Sequence, residues 1–139
     1  MKKTIITIAA ALSLAGAAST AQSRYAVVDI SVNFLREAPD YTAELGTQAL
    51  MGTVVEITGE EGYWRQVVTP EPYTAWCTEL GLVEMGEKEI EAYMSAPKYI
   101  CTAWHSTIYS EPSAKSQKIT DIVAGDIMRV SGEKSGRFT

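Results

Sequence analysis

Hydrophobic and polar positions follow three patterns along this chain. Residues 4–18 form an unbroken run of apolar or small residues after Lys2 and Lys3. From Tyr25 onward the pattern changes to short stretches that alternate or are rich in β-branched residues, each ended by Gly or Pro, as strands are. Tyr25–Ile30 is one such stretch, and Val32–Arg36, which stops before Pro39, is the next. Leu45–Leu50 reads equally as a helical turn or a short strand. Val54–Thr58 lies between Gly52 and Gly59, Tyr63–Val68 follows, and Trp76–Val83 carries one or two short strands. About five short strands joined by Gly and Pro turns predict a small barrel. The third pattern spans Gly86–Pro97, where Ile90, Tyr93 and Met94 recur at helical spacing. Acidic residues in its first half suit a helix N-terminus, and Pro97 stops it. It is expected to be a linker helix resting on a module, with a partner-binding helix as the alternative.

The strand pattern repeats. Val54-Val55-Glu56-Ile57-Thr58-Gly59-Glu60 and Ile127-Met128-Arg129-Val130-Ser131-Gly132-Glu133 match at an offset of 73. The same shift pairs Leu35 with Ile108, Pro39 with Pro112, Leu50 with Val123 and Gly52 with Gly125. Apolar, Gly and Pro positions that coincide under one shift mark a duplicated module. Thr139 then corresponds to Gln66, so counterparts of Val67–Glu84 are expected to be missing from the second unit, through truncation or because the protein continues. The expected fold class is all-β: two small barrels in tandem, the second incomplete, joined by a short helix. The expected boundaries are 1–21 for a signal peptide, 22–85 for the first module, 86–97 for the linker helix and 98–139 for the second module.

The signal peptide rests on a basic start, an apolar run of 15 residues that is short for a membrane span, and the small residues Ser19-Thr20-Ala21 before a cleavage point. Cleavage before Gln22 leaves no stable membrane insertion. Export implies the periplasm or the cell exterior, where disulfides form.

Composition narrows the function classes. With 139 residues, 46% of them hydrophobic, the chain is folded rather than disordered. A net charge of −5 argues against nucleic acid as a partner. Two cysteines and one histidine are too few for a four-ligand zinc site or a disulfide scaffold, so no cofactor or metal is expected. Cys101 and His105 lie four apart and share a face if they occupy one strand. However, no helix N-terminus stands behind either cysteine to activate it, and no catalytic residue is expected. Export permits a Cys77–Cys101 bond that would staple the modules; two buried free thiols are the alternative. Trp64 and Trp76 are expected to build the core, with groove lining as the alternative. Tyr73, after Pro70-Glu71-Pro72, is expected on a loop.

Several of these segments carry a resemblance. Val32-Asn33-Phe34-Leu35-Arg36-Glu37-Ala38-Pro39 resembles the opening strand of bacterial SH3-like domains. Gly52-Thr53-Val54-Val55-Glu56-Ile57, Gly62-Tyr63-Trp64-Arg65-Gln66-Val67 and Thr74-Ala75-Trp76 resemble their later strands in order, with Ala75 where Gly is usual. The whole arrangement is similar to the N-terminal half of secreted NlpC-type cell-wall cysteine peptidases. Gln48–Gly52 and Pro70–Trp76 look like the Bacteroides-like subgroup.

That resemblance implies SH3-like barrels and a C-terminal papain-like domain that cleaves γ-D-glutamyl-diamino acid bonds in peptidoglycan stem peptides; this domain is absent from the sequence. It implies that Tyr73 and Gln48 belong to a subsite for the free amino end of the stem peptide. Some relatives carry an acidic residue where this chain has Gln48. The expected function is an exported accessory or targeting module pair that positions or recognises stem peptides and is not catalytic alone. Its partners would be the stem peptide and the peptidase domain. The alternative is a stand-alone SH3-like module that binds an envelope protein or glycan.

Overall fold

The computed structural model describes residues 23–134 and 137–138. The expected signal peptide lies outside the described residues. Seven strands build one antiparallel sheet: β1 (Arg24–Val28), β2 (Val32–Arg36), β3 (Leu45–Leu50), β4 (Val54–Glu61), β5 (Trp64–Val68), β6 (Thr74–Thr78) and β7 (Leu82–Met85). Their spatial order is β3-β2-β6-β5-β4-β1-β7. The ambiguous stretch Leu45–Leu50 is a strand because it pairs with β2 from Val32↔Leu50 onward, with alternate pairs such as Asn33↔Ala49 turned inward.

Alternation decides what is buried. Ala26 and Val28, Leu35, Ala49, Val55 and Ile57, Val67, and Ala75 and Cys77 project to one side and form the main core. Leu35 and Val67 are fully buried. Leu35→Ala is expected to cost about 2–5 kcal/mol, from lost burial plus the cavity left behind, and thermal denaturation reads it directly. Gly62, at φ 57, supplies the left-handed residue that the β4–β5 turn needs. Arg65 of β5 pairs with Glu79 at 2.6 Å and with Glu84 of β7 at 3.1 Å, and Arg24 of β1 joins Glu84 at 2.7 Å. These partners hold the Glu84 carboxyl below the usual carboxylate range, Arg24 most strongly.

The helix α1 (Glu87–Ser95) follows β7. Glu89 reaches back to the Gly86 N–H at 2.8 Å and closes the first turn. Lys98 donates to the Met94 and Ala96 carbonyls at 3.0 and 3.2 Å, which satisfies the C-terminal end. Of the expected apolar stripe, Tyr93 is buried and Ile90 half-buried, whereas Met94 is exposed. Tyr93 donates its hydroxyl to the Gly52 carbonyl at 3.0 Å, so the helix is tied to the β3–β4 turn.

The second unit comprises β8 (Lys98–Ile100), β9 (His105–Tyr109), β10 (Lys118–Val123), β11 (Ile127–Arg129), β12 (Glu133–Lys134) and β13 (Arg137–Phe138). Its register reproduces the first unit at the offset of 73. His105↔Val123 through Tyr109↔Lys118 match Val32↔Leu50 through Arg36↔Leu45, and the irregularity near the end of each ladder falls at the same place. Tyr99↔Met128 matches Ala26↔Val55, and Glu133↔Phe138 matches Glu60↔Arg65. Met51, Cys101 and Ile122 form a smaller cluster, with Ile108 and Met128 against it.

Candidate functional site

The sheet turns Tyr73 and Glu37 toward each other. Glu37 follows the last residue of β2, and its N–H donates to the Glu44 carbonyl at 3.0 Å, closing the intervening loop. Arg36 donates to the Ala43 carbonyl at 2.7 Å, and the Asp40 carboxylate accepts from the Thr42 N–H and hydroxyl at 2.7 and 2.8 Å. Those two bonds pull the Asp40 carboxyl below its ordinary value. Across the sheet, the segment Thr69–Tyr73 is pinned by its own bonds. The Thr69 N–H donates to the Tyr73 carbonyl at 3.1 Å, and the Thr69 hydroxyl donates to the Glu71 carbonyl at 2.9 Å. Tyr73 is thereby held one residue before β6 with 39% of its surface exposed.

The Tyr73 hydroxyl donates to Glu37 Oε1 at 2.5 Å. The two side chains meet over Gly46 of β3. A Cβ at Gly46 would stand 2.2 Å from Glu37 Oε1 and 2.7 Å from the Tyr73 hydroxyl. Glycine is needed here for space. The hydrogen bond to Glu37 raises the Tyr73 pKa above its ordinary value, followed by desolvation and by the charges of Glu37 and Glu44. The phenol therefore stays a proton donor. The 13Cζ resonance of Tyr73 is expected to titrate later than that of an exposed tyrosine, and Glu37→Gln to return it toward the ordinary range. A folded pKa raised in this way contributes stability below the unfolded value, and that contribution is lost as pH rises through the folded one.

Tyr73 also lines an open cleft of about 430 Å³ together with Gln48, Leu50, Thr69, Glu71 and Gly125. Tyr73 and Gln48, the two site residues expected from sequence, are thus brought together. Gln48 is exposed on β3, opposite Phe34. No Lys or Arg lines this cleft. The Glu71 carboxylate and the hydroxyl and amide oxygens among the lining residues, with Glu37 bonded to Tyr73 beside them, suit a cationic amine.

Glu37 and Gly46 meet Tyr73 without a signal of that contact in the sequence. Glu37 lies inside the quoted motif Leu35-Arg36-Glu37-Ala38-Pro39, but its partner is 36 residues away. The strand order that makes them neighbours leaves no local trace.

The remaining candidates are placed apart. Cys77 lies in the main core and Cys101 in the smaller cluster, both as free thiols, so the structure does not bring them together. Burial pushes the Cys77 thiol up to about 11. Cys101 follows β8 and donates to the Ala103 carbonyl at 3.5 Å, while His105 begins β9 and is exposed. They therefore do not share one strand. Trp64 is buried beneath Tyr41 and Tyr63, with ring centroids 5.0 and 5.7 Å away, and Trp76 is half-buried. Among the described residues, no three His, Cys, Asp or Glu side chains gather to hold a metal ion. No helix of the described residues is long and apolar enough to cross a membrane.

Comparison with known families places this geometry. Residues 31–82 match the bacterial SH3 domain. The fold is all-β and SH3-like. Among solved structures, the chain is similar to an NlpC/P60 family protein from Bacillus cereus, with a TM-score of 0.63 and 20% sequence identity. The alignment covers 80% of this chain, more than the seven-stranded sheet can supply, and 48% of that protein. The chain thus spans about half the length of its structural relative. No curated protein matches it.

Proposed function

We propose that this chain is an exported binding module that recognises the free amino end of a peptidoglycan stem peptide on behalf of a cell-wall cysteine peptidase. One observation carries the reading: the Tyr73 hydroxyl meets the Glu37 carboxylate over Gly46, and Tyr73 also lines a cleft that no Lys or Arg side chain lines. An ammonium group supplies the missing charge. It donates to the free oxygen of Glu37 and to the lone pairs of Tyr73, while Gln48 hydrogen-bonds the peptide further along. The match of residues 31–82 to the bacterial SH3 domain and the likeness to an NlpC/P60 protein support the cell-wall setting. The peptidase domain that would complete the cleft and carry out hydrolysis is part of this proposal.

Binding by one wall of a cleft is weak, because few contacts offset the cost of association. Calorimetry with a γ-D-glutamyl-diamino acid stem peptide tests the reading. The peptide with a free amine is expected to bind measurably and its N-acetylated form at least tenfold more weakly. Equal affinity for the two would sink amine recognition. A stand-alone module for an envelope glycan would instead bind sugar strands stripped of peptide.

A further inference from the structure

The two units meet through equivalent turns. Leu50–Thr53 in the first unit and Val123–Asp126 in the second occupy the same place in the repeat, and Gly52 and Gly125 both have positive φ. Met51 leaves its own unit and is buried with Cys101 and Ile122 of the other. The Ile127 N–H donates to the Met51 carbonyl at 2.9 Å. Thr53 of the first unit corresponds to Asp126 of the second, and here the repeat breaks. Asp126 is fully buried. Its Oδ2 accepts the Val123 N–H at 2.8 Å, and its Oδ1 accepts the Met51 N–H at 3.2 Å, a proton that the Ser31 carbonyl of the first unit shares at 3.3 Å. One carboxylate thus binds both turns, one oxygen to each. A threonine at this place offers one oxygen where the carboxylate sets two, one facing each N–H.

The joint also borders the cleft. Gly125 lines it from the second unit, and a Cβ there would stand 2.8 Å from Leu50 Cδ1, which lines it from the first. We propose that Asp126 is a positioning residue. By holding the Met51 N–H it fixes the Val123–Asp126 turn as a wall of the Gln48–Tyr73 cleft, so that the peptide site belongs to both units. This rests on the stem-peptide reading of that cleft. Asp126 itself touches no ligand; it acts through the turn it secures.

The test uses the full chain and two variants. Asp126→Asn keeps one acceptor and sets an amide NH2 against the second N–H. Asp126→Thr installs the residue that the first unit carries at the equivalent place, in a turn whose backbone already accommodates it. In both, amide exchange at Met51 or Val123 is expected to rise at least tenfold, while Val55, Val67 and Ala75 keep their protection. The contact between the Leu50 methyls and the Gly125 α-protons, read as a nuclear Overhauser effect, is expected to weaken. Affinity for the free-amine stem peptide is expected to fall about three- to tenfold with the Tyr73 titration unmoved, a pattern that simple loss of stability does not give. Unchanged exchange at both amides, or a persistent Leu50–Gly125 contact, would overturn the proposal. So would unchanged peptide affinity once that contact is lost. If the parent chain binds no peptide, the stem-peptide reading fails, and the Leu50–Gly125 contact alone still decides whether Asp126 positions the wall.

Discussion

Tyr73→Phe, in the chain joined to a matching papain-like peptidase domain, is expected to lower kcat/KM about ten- to a hundred-fold for stem peptides with a free amino end. The substitution keeps the ring and removes one oxygen. In the proposed complex that oxygen accepts from the ammonium group, and its proton holds Glu37 over Gly46. A hydrogen bond to a charged group contributes roughly 1.5–3 kcal/mol, which sets the expected range. Glu37→Gln preserves size and some hydrogen bonding but removes the charge, and is expected to cost at least as much. N-acetylated substrates have no ammonium to lose and are expected to change little with either variant. A loss shared equally by free and blocked substrates would show that the residues shape the cleft without reading the amine. Gly46→Ala supplies a third arm. Its Cβ displaces Glu37, so it is expected to mimic Glu37→Gln without altering any charge.

The second large effect concerns stability. Gly52→Ala is expected to destabilise the chain by about 2–4 kcal/mol, and Gly62→Ala by only about 1 kcal/mol. Both glycines have positive φ, at 87° and 57°, so each substitution pays for a left-handed alanine. The difference lies in space. A Cβ at Gly52 would stand 2.1 Å from the Ile127 carbonyl oxygen, whereas one at Gly62 meets nothing within 4 Å. Backbone cannot swing aside as a long side chain does, so the Gly52 variant must open the joint between the units. Thermal unfolding should therefore separate the two variants by roughly 10 °C. Equal midpoints would mean that the two turns are not packed together.

Much of the fold was legible because its signals are local. Val32–Arg36 is a strand with the bounds that alternation indicates, and the offset of 73 holds down to individual residue pairs. Leu45–Leu50 was ambiguous because its small and polar residues carry no clear period; pairing with β2 decides it. In the helix, Met94 has the right spacing but faces solvent, since Tyr93 alone reaches back to the β3–β4 turn. Tyr73 and Gln48 stand out by motif position, and they line one cleft. Glu37, Gly46 and Asp126 do not stand out. Each acts across a junction made by strand order or by the packing of two units. A carboxylate two residues before Pro39, a glycine in a strand and an aspartate after Gly125 look ordinary until their partners are in place.

Whether the Glu37–Tyr73 pair receives a free amine is read residue by residue in a 15N NMR titration of the chain with a γ-D-glutamyl-diamino acid stem peptide. Saturable shifts are predicted at Glu37, Gly46, Gln48 and Tyr73, and are predicted to vanish when the peptide amine is acetylated. Shifts confined to the aromatic cluster of Tyr41, Tyr63 and Trp64, or the same shifts with the acetylated peptide, would contradict amine recognition.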